Sequence, residues 1–154
     1  MPRVTRRRIV SASQDEVWDL ISDPYSLPRW WPKTKRVENV DRKGEGRRSQ
    51  WTTVLETAEG RGVRADYRCI SSAEGQRYVW EQQLKGTPFA RHLRSSTVEI
   101  GLRADGAGTE VSLSSTQTLR GFSRLGSPMM MRAQGAILNE ALDGIERALG
   151  RGAA

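Results

Sequence analysis

The chain contains a single cysteine, Cys69, and a single histidine, His92, in 154 residues. An internal disulfide is excluded, and no Cys/His set exists for a zinc site, so neither a metal nor another cofactor is expected. Long apolar runs are missing too. Nothing approaches the ~18 consecutive apolar residues of a membrane span, and no charged-then-apolar leader opens the chain, so a cytoplasmic address is expected. There is no Gly-x-Ser-x-Gly elbow to carry a nucleophile and no third glycine to complete a dinucleotide-binding turn. Linkers, low-complexity segments and solenoid repeats are likewise lacking. The length suits one ordinary domain over residues 1–154 with its own core.

Positive charge is plentiful. Lys and Arg number 25 against 18 Asp and Glu, a net charge of +7 and an isoelectric point near 10.3. Such a balance favours acidic partners, nucleic acid or an anionic membrane. Acids are interspersed among most of the arginines, which is also how a mixed, solvated surface reads. The densest basic runs, Arg6-Arg7-Arg8 and Lys33-Thr34-Lys35-Arg36, fall in or beside expected strands, where charge keeps an edge from pairing with another chain.

Glycine supplies the punctuation. The stretches at 44–46, 60–62 and 105–108 separate runs of period two and read as hairpin turns. Trp51, Thr53 and Leu55 share one face. Val63, Ala65, Tyr67 and Cys69 alternate with Arg64, Asp66 and Arg68. Tyr78, Trp80, Gln82 and Leu84 alternate with Arg77, Glu81 and Gln83. Val98 and Ile100 oppose Thr97 and Glu99, and Val111 and Leu113 oppose Glu110 and Ser112. Strict alternation implies strands with one buried and one wet face, as in an antiparallel meander.

Two segments depart from that period. Ser13 followed by Glu16 is a capping box, and Val17, Leu20 and Ile21 then recur at helical spacing up to Asp23-Pro24. Near the other terminus, Ser127 as N-cap with Pro128 at the first helical position predicts a helix over about 127–150. Its broad apolar face carries Met130, Ala133, Ile137, Ala141, Ile145 and Ala148, flanked by Leu138, Leu142 and Leu149, with Arg132, Asn139, Asp143, Glu146 and Arg147 opposite. The order is strand, helix, short helix, six strands, long helix. One helix covers that many strands only if the sheet curls around it, and the curl leaves space between them. The fold class expected is therefore α+β, a curved antiparallel sheet of six to seven strands around a long C-terminal helix.

This order resembles the START-like or SRPBCC superfamily, the helix-grip fold of the polyketide cyclase/dehydrase and lipid-transport group. The resemblance rests on the opening strand leading into VSASQDEVWDLISDP, where Val17 and Trp18 match the family's apolar pair, on YSLPRWWP, where Trp30 and Pro32 match its tryptophan-x-proline element, and on the long last helix. It spans essentially the whole chain. One departure is visible: the family often places a glycine and an apolar residue after that proline, and here Lys33, Thr34 and Lys35 follow. The resemblance implies that Trp30 plugs one end of the curled sheet while Trp31 points elsewhere.

Strand parity also identifies the polar groups that interrupt the inward faces: Gln82 beyond Trp80; Ser96, Arg94 and His92 before Val98; Ser115 and Gln117 after Leu113; and Gln134 from the helix. A turn near residues 85–89 would pair Gln82 with His92, and the turn at 105–108 would pair Ser96 with Gln117. An apolar chamber with a few convergent polar groups is the usual form of a small-molecule site. The candidate ligand-binding set is Trp30, Trp51, Tyr67, Tyr78, Trp80, Gln82, His92, Arg94, Ser96, Ser115, Gln117, Met130, Gln134 and Ile137, with His92 and Arg94 as candidate catalytic groups. The leading expectation is a binder or carrier of a hydrophobic, lipid-like or aromatic molecule. A cyclase or aromatase, in which His92, Arg94 and Gln82 polarise a carbonyl, is the first alternative. A module docking RNA, the ribosome or an anionic membrane through its basic surface is the second.

Overall fold

The computed structural model describes residues 3–41, 49–57, 60, 62–121 and 127–150. In chain order these form β1 (Arg3–Val10), α1 (Gln14–Ile21), a 3-10 turn (Pro24–Ser26), α2 (Leu27–Trp30), β2 (Thr34–Asp41), β3 (Gln50–Glu56) and β4 (Gly62–Ala73). There follow β5 (Arg77–Gln83), a second 3-10 turn (Pro88–Arg91), β6 (Leu93–Asp105), β7 (Gly108–Leu119) and α3 (Ser127–Ala148). All strands join one antiparallel sheet of seven, in the order β1-β7-β6-β5-β4-β3-β2. The fold is α+β, as expected from the residues.

Local chemistry explains the elements. Ser13 Oγ accepts the Glu16 N–H at 3.2 Å and the Glu16 carboxylate accepts the Ser13 N–H at 3.3 Å, closing the capping box of α1. Gly106, at φ 57°, sits in the two-residue turn between the paired Asp105 and Gly108. The expected turn at 44–46 lies outside the described residues. Both dense basic runs fall on edge strands, Arg6–Arg8 on β1 and Lys33–Arg36 at and before the start of β2. β2 begins at Thr34, immediately after Lys33, whose φ of 59° places it in the left-handed region. That is the position where the family often has glycine, and the backbone there still adopts the shape glycine favours.

α3 lies on the concave face, but rotated from the orientation its wheel implies. Leu138, Ala141, Leu142 and Ile145 are fully buried, whereas Met130 and Ile137 are half-buried and Ala133 is exposed. The cause is a close backbone approach: a methyl group on Gly144 would collide with the carbonyl of Trp30. α2 therefore pulls the Ala141–Ile145 side of α3 inward and turns Ala133 to solvent. Arg29 reinforces the approach by donating to the Ala148 carbonyl at 2.9 Å. On the other flank, Arg8 of β1 pairs with Asp143 and Glu146 of α3.

Candidate ligand site

The interior beneath α3 divides into an aromatic end and a polar band. Trp80, at the centre of β5, is the hub of the aromatic end. Its ring centroid lies 5.2 Å from Trp31, 6.0 Å from Trp30, 6.0 Å from Trp51, 6.4 Å from Tyr67 and 6.4 Å from Tyr78, and the four rings other than Trp30 meet it nearly edge to face. The packing follows from period-two patterning, because Trp51, Tyr67 and Trp80 each occupy an inward position and Trp51 is paired directly with Tyr67 across β3 and β4. Trp30 is 1% exposed and seals this end, as the resemblance implied. Trp31 does not point elsewhere. α2 stops at Trp30 and Trp31 is extended, at φ −83° and ψ 130°, so that both indoles reach Trp80.

Leu27, Trp31, Trp51, Thr53, Tyr67 and Trp80 line a gap of about 10 Å³, roughly the room one water molecule needs. Leu27, Trp31 and Thr53 were absent from the candidate set. Thr53 had a legible signal in its inward parity; Leu27 and Trp31 depend on where α2 breaks. Burial pushes the Tyr67 hydroxyl up to about 12 from an ordinary 10, so it stays protonated well into the alkaline range.

The polar band lies on the neighbouring strands β6 and β7 and on α3, joined by Gln82 at the end of β5. Ser96 and Gln117 are directly paired across β6 and β7, and the Gln117 amide donates to Ser96 Oγ at 3.2 Å. Ser115 Oγ donates to Gln134 Oε1 of α3 at 2.9 Å. Gln82 is half-buried opposite Tyr67, and one step beyond the Glu81–Thr97 pair places it beside Ser96. The Gln117 side-chain oxygen and the Trp51 indole N–H are buried without a hydrogen-bond partner among the described residues, an unfavourable state for a polar atom unless something else meets it.

Two expectations are corrected. His92 and Arg94 do not face the interior; both are exposed. The ladder between β6 and β7 shifts register between Leu93 and Ser95, which turns Leu93 inward and sends its neighbours out. Gln82 does not pair with His92, because a nine-residue connection with its own 3-10 turn separates β5 from β6. His92 caps that turn and accepts the Arg120 N–H at 2.9 Å through its carbonyl. Of the remaining candidates, Met130 packs on a second apolar cluster of Leu84, Leu93 and Leu119, and Ile137 is half-buried on α3. Among the described residues, no group of three or more His, Cys, Asp or Glu side chains is placed to hold a metal ion, and no helix is long and apolar enough to cross a membrane.

A seven-stranded antiparallel sheet gripping one long helix, with an aromatic and polar lining between them, defines the START-like class. The chain matches the family of polyketide cyclases/dehydrases and lipid-transport proteins over residues 1–150, and belongs to it. Its fold is similar to that of a START superfamily protein from Mycobacterium smegmatis (TM-score 0.75, 18% identity, 94% of each chain covered). It is similar also to that of a protein from Thermus thermophilus (TM-score 0.76, 20% identity, 99% of this chain and 100% of the other). The di-domain ARO/CYC protein StfQ of the steffimycin biosynthetic pathway superposes with a TM-score of 0.80 at 13% identity; 99% of this chain is covered, and it spans about half (52%) of StfQ. At these identities the likeness is one of fold. No curated protein matches the chain in sequence.

Proposed function

We propose that the protein binds a hydrophobic small molecule, lipid-like or aromatic, between α3 and the sheet. The observation that carries this reading is the gap ringed by Trp31, Trp51, Tyr67 and Trp80, which sits on the same inward strand faces as the polar band of Gln82, Ser96, Ser115, Gln117 and Gln134. Apolar walls with a few polar groups suit a small molecule. The gap is far below the roughly 300 Å³ and upward that a drug-sized ligand fills, so binding requires side chains to move. Trp31 is the ring best placed to do so, being half-buried where its neighbour Trp30 is sealed. Occupancy should therefore change tryptophan emission. Native and denatured masses of protein purified without denaturation test the reading, together with emission scans against fatty acids and polycyclic phenols. A bound apolar compound, or saturable quenching lost in Trp31→Ala, supports it. No released compound and no change in emission with any probe would refute it.

A cyclase or aromatase activity is the second reading. With His92 and Arg94 at the surface, the inward hydroxyl-bearing aromatic groups of the site are Tyr67 and Tyr78. Tyr67, held protonated by burial, would polarise a carbonyl as a donor and would be unavailable as a base at neutral pH. Under this reading Tyr67→Phe abolishes turnover of a reactive polyketide chain while binding of the same chain persists.

A further inference from the structure

Some described arginines face a carboxylate and others, Arg3, Arg6, Arg7, Arg29 and Arg147 among them, make no ion pair with a described residue. Arg8, Arg36, Arg64, Arg68, Arg77 and Arg103 each face a carboxylate. At the end of the molecule where α3 begins, the pattern is different. Between Glu81 and Glu99, and again between Glu110 and Glu140, the sequence has no acidic residue. Described parts of those two stretches converge in space. Leu84, Leu93 and Leu119 form one buried cluster with Phe89, Ala90 and Met130 packed against it, and Leu93 pairs with Leu119. Around this cluster Lys85, Arg91, Arg94, Arg120 and Arg132 are exposed, and none makes an ion pair with a described residue. Beside them stand the two exposed methionines, Met129 at 77% and Met131 at 38%. Met129 and Arg132, three positions apart on the first turns of α3, share one outward stripe.

We propose that this end docks on an anionic phospholipid bilayer, with the five basic side chains among the headgroups and Met129 and Met131 at the acyl boundary. The charges suit a negatively charged partner in general; the methionines choose between candidates. Solvent-exposed unbranched apolar side chains beside unpaired cations match a headgroup layer over hydrocarbon. A single-stranded nucleic acid would call for exposed aromatic faces to stack on, and the one aromatic ring described in this cluster, Phe89, is half-buried against it. The inference stands on charge and exposure at this end and does not rest on the cavity reading.

Co-sedimentation with vesicles tests it. Phosphatidylcholine vesicles containing phosphatidylserine should retain the protein at low salt, pure phosphatidylcholine vesicles should not, and retention should fall as salt rises. Arg94→Ser and Arg132→Ser should each weaken binding by roughly fivefold, the worth of one basic residue near such a surface. Met129→Ser combined with Met131→Ser should weaken it further and leave its salt dependence unchanged. Arg103→Ser, at a paired arginine on the outer sheet face, should have no effect. All these positions are exposed, and unchanged circular dichroism will show that the variants fold. Equal binding to neutral and anionic vesicles, or an Arg103→Ser loss as large as that of Arg94→Ser, would overturn the proposal. So would single-stranded RNA that binds this end and displaces the vesicles.

Discussion

The two halves of α3 rest on different material. Toward its C-terminus, Leu138, Ala141, Leu142 and Ile145 are fully excluded from solvent and press on an aromatic cluster whose rings hold one another in edge-to-face contact. Toward its N-terminus the helix is tied by the Ser115–Gln134 hydrogen bond to the polar band, and beyond it by half-buried Met130 to a small satellite cluster. One half is a close-packed core; the other is anchored by few apolar contacts and a hydrogen bond whose neighbour Gln117 carries a buried oxygen without a partner among the described residues. Close apolar packing is thus concentrated in one half of a single helix.

That contrast can be broken in order of expected effect. Trp80→Ala removes the hub that five other rings share and should cost about 3–5 kcal/mol, read from the denaturant midpoint. Truncation of one apolar side chain in each half sharpens the comparison: Leu142→Ala should cost about 2–5 kcal/mol, while Met130→Ala, at a half-buried site, should cost under about 1.5 kcal/mol. Similar losses at both positions would show that the two halves are equally firm. pH gives a third measure. The Tyr67 hydroxyl is raised by burial to about 12 from an ordinary 10, so the folded state holds this proton more tightly than the unfolded chain does. Its contribution is fully present below pH 10 and is lost as pH rises toward 12. Tyr67→Phe should therefore flatten the alkaline fall in stability over that window. The smallest effect belongs to Lys33→Gly, which relieves a left-handed backbone at an exposed position and should stabilise by no more than about 1 kcal/mol.

Much of the architecture was legible in the residues. The capping box at Ser13, the alternation through Tyr67, Trp80, Val98 and Leu113, and the proline-led last helix are local signals, and each element formed where its signal lay. The pairing of Ser96 with Gln117 was legible because a tight turn at residues 105–108 sets register by counting. His92 and Arg94 were misplaced for the converse reason. Parity propagates only through an unbroken ladder, and a one-residue shift at Leu93 inverts every side chain beyond it. Nothing in HLRSS announces such a shift.

The residues alone specified the element order, a sheet of six to seven strands and most of the inward positions, because these depend on periodicities and caps within a few residues of one another. Tertiary structure alone decided the rotation of α3 and the fate of the double tryptophan. Gly144 is an ordinary helix glycine until α2 is laid against it, and Trp31, expected to point away from Trp30, reaches Trp80 only because α2 ends just before it. The acid-free end arose in the same way. The described parts of two stretches without carboxylates, on either side of the β6–β7 turn, come together where Leu84, Leu93 and Leu119 are buried in one cluster. Contacts between distant segments carry no local signature, since each residue satisfies its own neighbourhood and only packing brings the neighbourhoods into contact.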